Sequence, residues 1–186
     1  MTDMNNAIMD AAERRIRAGG FNGFSFREIA VDVGVKSSSV HYHFPTKENL
    51  AAAVVRRYTE QVEQLIDKEL ETDPNPARVW ARAFRGTLQS KDQMCPCIVL
   101  GSTSRDLPPE VAVEVRHFFK MCQTKMVKSG LTSKEAAELL STITGAMVLA
   151  TALDDNAAYD RATVDLRKIS ESKPTRAGKP AARKKR

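Results

Sequence analysis

The segment from Phe24 to Leu50, FSFREIAVDVGVKSSSVHYHFPTKENL, leaves room for little except two short helices joined by a tight turn. Ser25 and Glu28 stand three apart, the spacing of a reciprocal side-chain cap that starts a helix. Gly34 ends that helix early, because glycine enters the left-handed conformation that closes a C-terminus without steric cost. A second helix is predicted to begin near Ser37, with the serines offering N-cap oxygens. Ala30 is small where two helices cross closely, Gly34 makes the turn, and Val40 returns to the shared interface, with Ile29 and Val35 adding packing. This is the pattern of a helix-turn-helix.

The remainder also reads as helix. Pro and Gly marks at Gly19-Gly20, Gly34, Pro45, Pro74 and Pro76, Pro96, Pro108-Pro109 and Gly130 separate stretches rich in Ala, Leu, Glu, Lys and Arg. No stretch alternates apolar and polar residues between turn signals, so no sheet is expected and the fold class is all-α. Three short helices should precede Pro45, a long one should run from Lys47 to about Glu71, and four or five more should follow. This gives three units: a helix-turn-helix domain at 1–50, a helical effector-binding and dimerisation domain at 51–172, and a tail at 173–186. The tail, KPTRAGKPAARKKR, has no apolar residue larger than Ala to bury and is expected to be disordered.

The net charge of +6 is unevenly placed. Seven basic residues and no acid lie in 173–186, eight basic against six acidic in 1–58, and fourteen basic against seventeen acidic in 59–172. A polyanion is therefore expected at the ends of the chain and not at its middle. No apolar run reaches the roughly 18 residues of a membrane span, and the start MTDMNNAIMD does not have the basic-then-apolar order of a signal peptide, so no membrane partner and a cytoplasmic location are expected. Three cysteines, an odd number, make no disulfide framework and are read as thiols.

The run from Gly34 to Leu50 resembles the signature of the TetR family, in which a Gly-Val turn, a short recognition helix ending in aromatic-Phe, and Pro-Ser/Thr-Lys-Glu follow one another. Upstream, AIMDAAERRIRAGGFNGFS is similar to that family's first helix and its Gly-aromatic end. Downstream, TGAMVLATALDDNAAYDRATVDLRKI resembles its last two helices, which in the family build the dimer interface. The resemblance implies a regulator that binds a double-stranded operator as a homodimer and is released by a small-molecule effector. It places the recognition helix at Ser37–Phe44, with Lys36, Ser37, Ser38 and Ser39 at the end that reaches base edges and phosphates, and with Arg27, His41, Tyr42 and Lys47 at phosphate-holding positions. Arg15 stands where the family usually has an apolar residue, and is expected to snorkel or to mark a slight rotation of the first helix. Neither a cofactor nor a metal is implied. His41 and His43 are two apart on a helix and do not share a face.

In the second half, Val111, Val115, Phe118, Phe119, Cys122 and Met126 recur at helical spacing, and Tyr58 and Trp80 are read as core. Phe84, Leu88, Phe118, Met121 and Met147 are candidates for lining a cavity. Small residues between Ser133 and Leu153 suit a close helix seam, and the dimer is expected through Ser133–Leu153 and Asn156–Ile169. Cys95 and Cys97 flank Pro96 near an expected helix start, where the dipole would lower a thiol pKa. The same segment loosely resembles the electrophile- and acrylate-responsive branch of the family, which makes Cys97 a candidate sensor and Cys95 its possible resolving partner. Two other classes remain open. One is a nucleoid-type protein whose basic tail binds DNA of any sequence; the other is an enzyme using Cys97 as nucleophile, with His117 the one histidine outside the helix-turn-helix.

Overall fold

The computed structural model describes residues 2–89 and 94–166. Among them the chain is helical throughout: α1 Thr2–Gly19, a 3-10 turn Phe21–Gly23, α2 Phe26–Val33, α3 Ser37–His43, α4 Lys47–Thr72, α5 Pro76–Gln89, α6 Pro96–Ser102, α7 Pro109–Lys128, α8 Ser133–Ala152 and α9 Asn156–Thr163. The first helix is longer than expected, at 18 residues, and α4 runs unbroken through the expected domain boundary at 50. The tail from Lys173 and the end of the expected last dimer helix lie outside the described residues.

Local chemistry sets most of these boundaries. Thr46 Oγ1 accepts the Asn49 N–H at 3.1 Å to start α4. Thr132 and Glu135 make a full capping box at α8, each satisfying the other's backbone N–H. Pro109 takes the first position of α7, where its missing N–H is of no consequence. One hydrophobic core runs from Ile8 to Tyr159. Helix α4 lies along α7, α8 along α9, and α1 packs on both α4 and α6, so the head formed by α1 to α3 is seated directly on the body.

The corner between α4 and α5 is closed by charge. Asp73 accepts from the Asn75 N–H and from the guanidinium groups of Arg78, at 2.7 Å, and Arg82, at 3.2 Å. The Arg78 hydrogen bonds, more than any other cause, hold its carboxyl well below the usual carboxylate range. A carboxyl depressed in the folded state stabilises the fold above its unfolded pKa of about 3.9, and that contribution is lost as pH falls toward the folded value. Asp73→Asn should therefore lower the melting temperature at pH 7, and the gap from the parent should narrow as pH drops below about 4. An equal gap at pH 7 and pH 3 in thermal melts would contradict this.

Candidate nucleic-acid interface

The helix-turn-helix is built as its sequence suggests, with two local differences. Ser25 Oγ accepts the Glu28 N–H at 3.4 Å, but the Glu28 carboxylate returns to the Ser25 hydroxyl at 2.8 Å and not to its amide. Lys36, with no side-chain hydrogen bond, caps α3 in place of a serine. Gly34 has φ +75°, and the Val35 N–H reaches back to the Ala30 carbonyl at 2.9 Å, which closes α2 in the left-handed manner. Ile29 and Val40 are fully buried and Ala30 nearly so, which fixes α3 against α2.

With its inner face so anchored, α3 presents the remaining residues outward. Lys36, Ser38, His41 and Tyr42 are exposed, Ser37 and Ser39 half-buried, and Arg27 is exposed on α2. Tyr42 is 76% exposed, an unusual position for a large aromatic ring. Val31 on α2 is equally bare at 75%. His41 packs edge-on against Phe26 at 4.6 Å between ring centroids, and His43 against Tyr42 at 5.3 Å. Among the described residues no group of histidine, cysteine and carboxylate side chains is arranged to hold a metal ion.

Lys47 differs from a free phosphate-holding cation. Its ammonium sits 4.6 Å from the centroid of Phe21 and 4.8 Å from that of Phe24. Burial there holds its pKa below the usual lysine value, against the opposite pull of Glu48 and Glu28. Lys47 thus ties the start of α4 to the connection between α1 and α2 as well as offering a charge at the helix edge. Arg15 is held by charge: it donates to Asp32 at 2.5 Å and to Glu28 at 3.1 Å, pinning α2 to α1.

The residue that sequence reading missed is Arg17. Its side chain is 10% exposed, and its guanidinium donates to Glu13 at 2.7 Å and to the Met94 carbonyl at 2.5 Å, and covers the Tyr58 ring at 5.1 Å. Glu13 in turn accepts from Arg57 of α4 at 2.9 Å. The Glu13–Arg17 spacing of four was the available signal; the Met94 carbonyl, far along the chain, left none.

Cys95 is the N-cap of α6, and both it and Cys97 are fully buried. The expected lowering at the helix start does not fall on Cys97, whose thiol is pushed well up by burial and by its neighbour Cys95. For Cys95 burial pulls the same way, but hydrogen bonds from Cys97, Tyr58 and the Ile98 N–H, with the charge of Arg17, bring it below the usual thiol value. Of the five residues expected as cavity liners, Phe84 lines an opening of about 190 Å³ with Tyr58, Gln61, Val62, Leu65, Ala83 and Thr87. Met121 lies in a different, charged groove between α4 and α7, and Leu88, Phe118 and Met147 are core.

Residues 8–54 match the family model for bacterial regulatory proteins of the tetR family. The chain is 28% identical to a TetR-family transcriptional regulator from Agrobacterium tumefaciens, whose crystal structure superposes with a TM-score of 0.83 over 90% of this chain and 97% of that one. The N-terminal head of the chain thus carries the DNA-binding unit of the tetR family, and the whole chain has the fold of that TetR-family regulator. A TetR transcriptional regulator from Legionella pneumophila shares the fold, with a TM-score of 0.78, 24% identity, and coverage of 88% of this chain and 95% of that one. Over 76 residues the chain is 33% identical to the HTH-type transcriptional regulator LmrA of Bacillus subtilis (strain 168). That match spans 40% of this chain and 40% of LmrA, so it speaks for the part that aligns and not for the whole relative. No helix among the described residues is long and apolar enough to cross a membrane.

Proposed function

We propose that this chain is a cytoplasmic, homodimeric repressor of the TetR family that holds a pseudo-palindromic operator and is released from it by a small-molecule effector. The observation that carries the reading is the outer face of α3, where Lys36, Ser38, His41 and Tyr42 stand exposed on a helix whose inner face is locked by Val40. A helix of seven residues held this rigidly fits a major groove, and its exposed groups are of the kinds that meet phosphates and base edges.

Self-association is supported at the other end of the molecule. On α8 and its C-cap, Ser141, Gly145, Val148, Leu149, Ala152 and Leu153 form an exposed stripe, and Leu149 and Leu153 are 53% and 62% exposed. Small and apolar residues at that spacing suit a helix packed against its own copy. The opening beside Tyr58 and Phe84 is of a size for a small effector. The cysteine-enzyme alternative gains no support from Cys97, which is fully buried with its thiol pushed up by that burial.

The reading is tested by sedimentation of the full chain with a duplex from its own upstream region. Two chains per site are expected, and one chain per site would refute the dimeric reading. Within the interface the roles should separate. Ser38→Ala should change which sequence is preferred, whereas Lys36→Ala should weaken operator and unrelated DNA alike and lower the salt slope by about 1. A Lys36→Ala protein with an altered preference and an unchanged slope would reverse the two assignments.

A further inference from the structure

The opening beside Tyr58 and Phe84 has a volume of about 190 Å³, and none of the side chains around it is charged. Tyr58, Val62 and Phe84 form its buried walls, while Gln61 and Leu65 stand exposed at its edge. Each of the two rings rests on a further aromatic residue that does not itself line the opening. Tyr58 meets Phe118 at 5.8 Å between centroids, and Phe84 stacks on Trp80 at 6.1 Å with the planes 28° apart. Trp80 stands one turn before Phe84 on α5 and is fully buried, yet its indole N–H has no acceptor among the described residues. A buried donor left unpaired is uncommon, and it costs free energy until an acceptor reaches it. Phe84 thus borders both an uncharged opening and an unused donor.

We propose that this opening binds an uncharged, single-ring molecule carrying a hydrogen-bond acceptor, and that the Trp80 Nε1–H donates to that acceptor. The proposal rests on the reading of the opening as an effector site and names the class of molecule it takes. Size sets the first limit. An apolar cavity of about 150 Å³ already takes benzene, so the space here suits one ring with a short substituent. Charge sets the second, because a carboxylate or ammonium would leave water and find no counter-charge on these walls. Arg17, over the Tyr58 ring at 5.1 Å, is already committed to Glu13 and the Met94 carbonyl. The Tyr58 and Phe84 rings favour a flat partner that can stack on them or meet them edge-on. The acceptor then selects among such molecules, since an apolar ring of the same size leaves the indole N–H unpaired. On binding, the Phe84 side chain turns from Trp80, and the ligand takes over both the stack and the hydrogen bond. No covalent bond is made or broken, so the association is reversible.

The chain has one tryptophan, so its indole N–H gives a single proton–nitrogen NMR signal that reports the contact directly. The full chain, without DNA, is titrated with acetophenone, with benzoate as its charged counterpart of equal size, and with ethylbenzene as its counterpart without an acceptor. Acetophenone should move the Trp80 signal downfield and saturate, whereas ethylbenzene should saturate without the downfield movement. Benzoate should bind about tenfold or more weakly than acetophenone. Absence of saturable acetophenone binding, or benzoate binding equally well, overturns the proposal. Ala83→Leu puts a larger side chain into the opening and should abolish both neutral titrations. An unchanged acetophenone titration in that variant overturns the site. In Trp80→Phe, followed by calorimetry, acetophenone should weaken about fivefold and ethylbenzene by less than about twofold. Equal weakening of the two overturns the role given to the indole N–H. With no DNA present, these results stand apart from the regulator reading, which is decided by whether the chain selects a DNA sequence at all.

Discussion

Val148→Glu with Leu149→Glu should turn the protein into a folded monomer and reduce operator affinity on the order of a hundredfold or more. Both side chains stand about half exposed on α8, so the substitutions leave the interior of the chain intact. In a dimer each would place a carboxylate against its own copy, where like charges in a closed contact repel and lose their water. Losing the second recognition helix removes the effective concentration that joins two half-sites, a factor of about 10² to 10⁴ for linked modules. Circular dichroism should show unchanged helix content, sedimentation a single chain, and a gel shift only weak binding. A dimer that survives both charges would move the interface elsewhere.

The second large effect is expected at the turn. Gly34→Val should abolish operator recognition while leaving the body folded. At φ +75° a β-branched residue is strained by about 1 to 3 kcal/mol, whatever the space around it. Space is in fact ample, because a Cβ there meets nothing within 4 Å, so the effect is one of backbone conformation and not of collision. The chain relieves the strain by opening the turn, and that moves α3 away from Ile29 and Ala30, on which its direction depends. Gly34→Asn should retain most of the binding, since asparagine tolerates the left-handed region. Equal loss in both variants would point to a contact made by Gly34 itself.

Much of the head was legible because its determinants are local. Ser25 and Glu28, Gly34 and Val40 act within a few residues of one another, and spacing alone exposes them. Thr132 and Glu135 mark α8 for the same reason. What sequence concealed were the contacts that tertiary packing creates. Arg15 finds Asp32 and Glu28 across a turn, and Lys47 lies over two phenylalanine rings, contacts that neither position in a motif reveals. The two thiols show the limit most clearly. A helix start next to Pro96 predicts a lowered thiol at Cys97, yet burial dominates that residue, and the donors that offset burial gather on Cys95 because Tyr58 arrives from α4. No pattern within CPC carries that information.

The central claim, a dimer reading sequence through α3, is tested most directly by selecting bound duplexes from a random pool with the full-length chain at near-physiological salt. The expected result is enrichment of a pseudo-palindrome whose half-sites lie about one helical turn, roughly 10 base pairs, apart or a multiple of it. Recovery of duplexes with no shared sequence, bound by an affinity that simply falls with salt, would contradict it and leave a protein that binds DNA through charge alone.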